Sequence, residues 1–120
     1  MNSCTVQKIE IYDIPDWIDS NIGDRVRASV FSGPSDVRLD SKIITIDNSF
    51  ISYEPSNVTI SWFYNYTHRV TLSNINSSTP KYYEIDIFEL LNSNTYFGNE
   101  YIKLNDQNEI QYKLYVTWND

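Results

Sequence analysis

Apolar and polar residues alternate with a period of two along much of this chain, the pattern of strands that bury one face and solvate the other. Over residues 6–14, Ile9 and Ile11 alternate with Lys8 and Glu10, and Pro15 closes the run. Over residues 25–31, Val26, Ala28 and Val30 take one face, while Arg25, Arg27 and Ser29 take the other. Gly33 and Pro34 then signal a turn. Residues 37–46 hold Val37, Leu39, Ile43, Ile44 and Ile46, and the phase breaks near Asp40 and Ser41, which predicts a bulge or an interruption there.

Further along, residues 58–65 put Val58, Ile60, Trp62 and Tyr64 inward against Thr59, Ser61 and Asn65. Residues 68–75 keep Val70 and Leu72 in phase, and Tyr83, Ile85 and Ile87 oppose Glu84 and Asp86. A short strand over 101–104 and a last one over 110–118 follow, the latter with Tyr112, Leu114, Val116 and Trp118 inward. Polar stretches at 47–55, 74–80 and 90–98 are predicted as loops.

About eight short strands at spacings near twelve residues predict an all-β fold, an eight-stranded antiparallel β-sandwich with two sheets of four. Residues 1–120 form a single domain, because no linker or compositional break divides them. Composition agrees: 15 Ile, 7 Val and 8 Thr make a quarter of the 120 residues β-branched, while Ala28 is the single alanine. Ten Tyr, five Phe and three Trp supply large apolar areas for a core.

Other classes drop out on simple chemistry. Glycines at 23, 33 and 98 alone leave no clustered-glycine turn for a dinucleotide or phosphate loop. A single cysteine, Cys4, permits no internal disulfide and no cysteine-based zinc site. A net charge of −7 has the wrong sign for nucleic-acid binding through phosphate neutralisation. Neither a signal-peptide pattern nor a long apolar run is present, so the expected location is cytoplasmic, with a peripheral membrane association open.

Three stretches carry a family resemblance: the opening KIEIYDIPDWI, then GDRVRASV, and EIDIFELLNSNTYFGNEYIKL from Glu84 to Leu104. Together with Trp62, where a core tryptophan would open the fourth strand, they resemble C2 domains, the eight-stranded sandwiches of membrane-targeting and scaffold proteins. In the third stretch, the pair Phe97-Gly98 followed by Ile102 and Leu104 takes the place of the aromatic-glycine pair and closing strand of that family.

The resemblance implies a loop end that can hold calcium, for which a hard dication needs six to eight oxygen ligands and a cluster of carboxylates. Asp16, Asp19 and Asp24 occupy the first loop, Asp24 at the family's second aspartate and Asp19 near its first. In the second loop the family's aspartates correspond to Glu89, Leu91 and Thr95, a single carboxylate. The chain is therefore read as calcium-independent, without a cofactor, and Asp19, Asp24 and Glu89 remain as the candidate metal ligands.

The candidate binding loops are Asp16, Trp17, Asp19, Asp24, Glu89 and Leu91, with Trp17 and Ile18 either an exposed apolar tip or a plug folded back on the sandwich. Arg25, Arg27, Arg38 and Lys42 form a candidate basic patch on adjoining strands, and basic sheets of this kind in C2 domains bind anionic head groups. His68, the only histidine, is expected in a solvated turn, and no nucleophile accompanies it.

The function these features imply is a non-catalytic C2-like interaction or targeting module for a protein partner or an anionic membrane surface. Alternative readings are an assembly subunit of viral or surface type, a carbohydrate-binding sandwich with tyrosine platforms, and an acidic inhibitor of a basic target. Partner identity and oligomeric state are open at this level.

Overall fold

The computed structural model describes residues 3–18, 25–46, 49–61, 68–75, 81–92, 95–97 and 99–119, with only the backbone of 95–97. It is an all-β sandwich of two antiparallel sheets and one short helix. One sheet contains β1 (Ser3–Ile11), β4 (Ile51–Tyr53), β5 (Thr59–Ser61), β8 (Thr95–Phe97), β9 (Glu100–Leu104) and β10 (Ile110–Asn119). Its order is β4-β1-β10-β9-β8, with β5 also paired to β1. The other sheet contains β2 (Arg25–Ser32), β3 (Val37–Thr45), β6 (His68–Asn74) and β7 (Tyr82–Asp86) in the order β3-β2-β6-β7.

The described residues thus form ten strand segments, in sheets of six and four, where the spacing predicts eight in two fours. The two extra segments lie inside predicted loops. β4 lies within 47–55, and β8 within 90–98, beside the helix α1 (Ile87–Leu91). β4 and β5 are halves of one edge: Tyr53 sits opposite Ile9 and Thr59 opposite Thr5, so the chain follows β1 with a detour between them. Pro55 and Asn57, the latter at φ 59°, make that detour. A proline cannot donate to a ladder, and Asn tolerates the left-handed region better than most side chains.

Bulges reset the alternation. In β1, Val6 lies opposite Val116 but Lys8 lies opposite Tyr115, so Gln7 is the extra residue. Cys4 and Val6 therefore share the buried face with Ile9 and Ile11, although their numbering differs in parity. In β3, Asp40 lies opposite Val30 and Arg38 opposite Phe31, which leaves Leu39 as the bulge, one residue from the predicted phase break.

The core fills the space between the sheets. Ile9, Ile11, Ile51, Tyr53, Ile60, Leu114 and Val116 face Val26, Ala28, Val30, Val70, Leu72 and Ile85. Each fully buried aliphatic side chain contributes about 1.5–3 kcal/mol of transfer free energy. Helix α1 closes one end with Ile87, Leu90 and Leu91. Asp86 caps it, its Oδ1 accepting from the Phe88 amide at 2.9 Å.

Phenol hydroxyls tie the two sheets on either flank. Tyr53 of β4 donates to Asp40 of β3 at 2.5 Å, and Tyr83 of β7 meets Tyr112 of β10 hydroxyl to hydroxyl. Burial, and then the Asp40 carboxylate, pushes the Tyr53 phenol well above its ordinary value. Cys4 is fully buried, and burial pushes its thiol up to about 11, which makes it a core side chain rather than a reactive one. Among the described residues, no helix is long and apolar enough to cross a membrane.

Candidate functional site

The outer face of the four-stranded sheet is built in ranks that the strand register fixes. Arg38, Phe31, Arg69 and Asp86 form one rank. Ser41, Ser29, Thr71 and Glu84 form the next, and Ile43, Arg27, Ser73 and Tyr82 the third. The middle rank is short wherever it crosses β3, β2 and β6, so the bulkier ranks stand up as walls. The result is a groove of about 540 Å³ across the strands, with Arg38 and Arg69 on one wall and Arg27 on the other.

All four arginines of the chain lie on this sheet face, Arg25 continuing it beside Thr45 at the end of β2. In a protein of net charge −7, that concentrates the guanidinium charge on one side. Among the described residues only Arg69 makes an ion pair, with Asp36 from the β2–β3 turn. Among the described residues Arg25, Arg27 and Arg38 make none. Beside the groove, Ser41 Oγ accepts from Ser29 Oγ at 3.0 Å and from Arg27 Nη1 at 3.5 Å. The lining sets three guanidinium groups and several hydroxyls against two carboxylates, Asp36 and Glu84, a balance that suits an anion.

Lys42 does not belong to this patch. The bulge at Leu39 shifts the phase, so Lys42 lies opposite Ala28 on the inner side of the sheet. Its Nζ donates to the carbonyl of Glu54, the residue after β4, at 2.6 Å. Arg69 takes its place, a residue the sequence reading left out because β6 had no assigned position beside β2.

The predicted binding-loop residues that the structure describes divide between core and surface. Leu91 is 7% exposed and belongs to the core under α1, not to a loop surface. Ile18 is 6% exposed and Trp17 packs half-buried against the core, so the pair is a plug and not an exposed tip. Asp16 is exposed, while Asp19 and Asp24 lie outside the described residues, as do Trp62 and Gly98. Glu89 is exposed and bridges to Lys103 at 2.6 Å. Among the described residues no three His, Cys, Asp or Glu side chains gather as a metal site would require. His68 is 7% exposed as the first residue of β6, not a solvated turn residue.

A second polar cluster, on the six-stranded sheet, escaped sequence reasoning. Glu10 is buried among its neighbours, accepting at Oε1 from the Tyr12 hydroxyl at 2.9 Å and from the Tyr115 hydroxyl at 3.1 Å. Lys8 lies 3.4 Å from its other oxygen and 4.6 Å from the centre of the Tyr115 ring. Burial pushes the Glu10 carboxyl up, but the two hydroxyls and the ammonium outweigh it and hold the group below its ordinary value. The Tyr12 phenol is pushed up to about 12 by burial and then by Glu10. Tyr12 also stacks on Phe50 at 4.8 Å between ring centres. With lysines over both phenol rings, the cluster is a satisfied network that braces β1 against β10.

Comparison with protein-family models, with curated proteins and with solved structures finds no match to this chain.

Proposed function

We propose that this chain is a non-catalytic recognition module, a C2-like sandwich that holds an anionic partner on the outer face of its four-stranded sheet without calcium. The observation that carries the reading is the placement of all four arginines on that face, three of them lining one groove. Guanidinium groups are weakly hydrated and present forked donors, which suits them to oxyanions at a surface. The partner is an acidic protein or an anionic membrane surface, both of which supply such groups. The single histidine lies off the groove and buried, which accords with binding rather than proton-transfer chemistry.

The test is co-sedimentation with phosphatidylserine vesicles and retention on immobilised polyglutamate at low salt, each with calcium and with chelator. Calcium-independent binding to either, lost in an Arg27→Gln/Arg38→Gln protein that keeps its melting temperature, is the expected result. Binding to neither, or binding that ignores the two arginines, overturns the reading. A strict calcium requirement overturns its calcium-independent part.

A further inference from the structure

Two carboxylates line the groove, Asp36 and Glu84, and of these it is Asp36 that pairs with an arginine among the described residues. It projects from the turn after β2 at φ 51° and pairs with Arg69 of β6, two strands' width from its own position in the β3 approach. The pair is open to solvent, Asp36 at 61% and Arg69 at 31% side-chain exposure. Such pairs are worth little, because both groups are well hydrated when apart. Arg69 is thus held by a carboxylate that a competing anion can displace.

The groove's chemistry narrows the competitor. Its cations are all arginine, and the planar guanidinium fork matches a carboxylate through two parallel bonds. Its walls also carry Phe31, Ile75 and Tyr82, which an inorganic anion would leave without a partner. Tyr82 is among the most exposed large side chains of the protein. An extended chain that alternates carboxylates with apolar or aromatic side chains satisfies both sets, and the groove runs across the strands to the open edge at β3.

We infer that the groove takes an extended acidic segment of a protein partner, and that Asp36 is an internal competitor whose carboxylate holds Arg69 until a partner carboxylate replaces it. This rests on the anion-binding role proposed above. Asp36 thereby sets the threshold for binding: partners with a single weak carboxylate lose to it, and partners with several do not.

The probe is an acetylated hexapeptide of alternating Glu and Tyr, titrated into the full chain by calorimetry and by amide chemical shifts. Asp36→Asn, which suits the same backbone conformation, is expected to bind about threefold to fivefold more tightly, the size of an exposed ion pair. Asp106→Asn, which makes the same change of charge in the β9–β10 turn, is expected to show no gain. Arg69→Gln is expected to weaken binding and to abolish the gain from Asp36→Asn when the two are combined. The shifts should centre on Ser29, Thr71 and Ser73.

The inference is overturned if Asp36→Asn gives no gain, if the gain survives without Arg69, or if Asp106→Asn gives as much. It is overturned as well if a Gln-Tyr hexapeptide binds equally. Arginine-dependent binding to phosphatidylserine vesicles with none to the peptide removes this inference and leaves the anion-binding reading standing. Binding to neither removes both.

Discussion

Tyr53 and Asp40 join the two sheets through one hydrogen bond of 2.5 Å, from the fully buried ring on β4 to the edge strand β3. Removing the hydroxyl alone with Tyr53→Phe leaves the Asp40 carboxylate without its donor and is expected to lower stability by about 1–3 kcal/mol. Urea unfolding of the two proteins measures it. The Tyr53 phenol is raised in the folded state, so its contribution is complete below the ordinary tyrosine value and declines as pH rises past it. The difference between the two proteins should therefore shrink in strong alkali.

The Glu10 cluster gives an acid-side counterpart. A carboxyl held below its ordinary value stabilises the fold above that value, and the contribution is lost as pH falls through the lowered one. Glu10→Gln is expected to lower the melting temperature near neutral pH and to flatten its decline toward acid. On the alkaline side, Tyr12 is raised to about 12, so its share disappears between its ordinary value of 10 and that figure. Melting temperature against pH for both proteins checks each limb.

Leu91 separates packing from recognition. Truncation to Ala removes a core side chain beneath α1 and is expected to cost about 2–5 kcal/mol. Affinity for any anionic partner should be unchanged at temperatures where the variant stays folded, because Leu91 does not line the groove. A selective loss of binding, with stability intact, would return this residue to a binding loop.

Lys42 guards an edge. β3 is a nine-residue edge strand with Val37, Leu39 and Ile43 exposed, a template for pairing with other chains. The bulge at Leu39 and the inward charges of Asp40 and Lys42 interrupt it, each charge fastened to β4 or the residue after it. Lys42→Val is expected to raise self-association, read as a concentration-dependent increase in mass by light scattering. An unchanged monomer fraction at high concentration would deny Lys42 that role.

The alternation of residues made most of the sandwich legible, because burying one face of a strand imposes a period of two that survives in the sequence. What it hid were the places where the backbone breaks that period. Arg38 and Lys42 share parity and read as neighbours on one face, but the extra residue at Leu39 sends them to opposite faces. The phase break was visible, while its consequence for the side chains on either side required the register. β4 was masked by the Ser, Asn and Pro residues around it, turn formers that here form the detour of a single edge. Arg69 entered the groove through pairing of β2 with β6, a relation between segments forty residues apart that no local pattern encodes. The Glu10 network likewise depends on β1 meeting β10.

That meeting of β1 and β10 has a kinetic side. Asn119 bonds to the Ser3 hydroxyl across a separation of 116 residues, and the central pair of the larger sheet is assembled from strands at opposite ends of the order. Loop closure over such a span precedes any reward from the contacts, so this topology belongs with sandwiches that fold in milliseconds to seconds. During synthesis, β1 must wait for β10 with one flank bare, covered only by the edge that β4 and β5 provide. The interrupted course of that edge then has a second use, as temporary cover for an apolar strand whose permanent neighbour is the last to arrive.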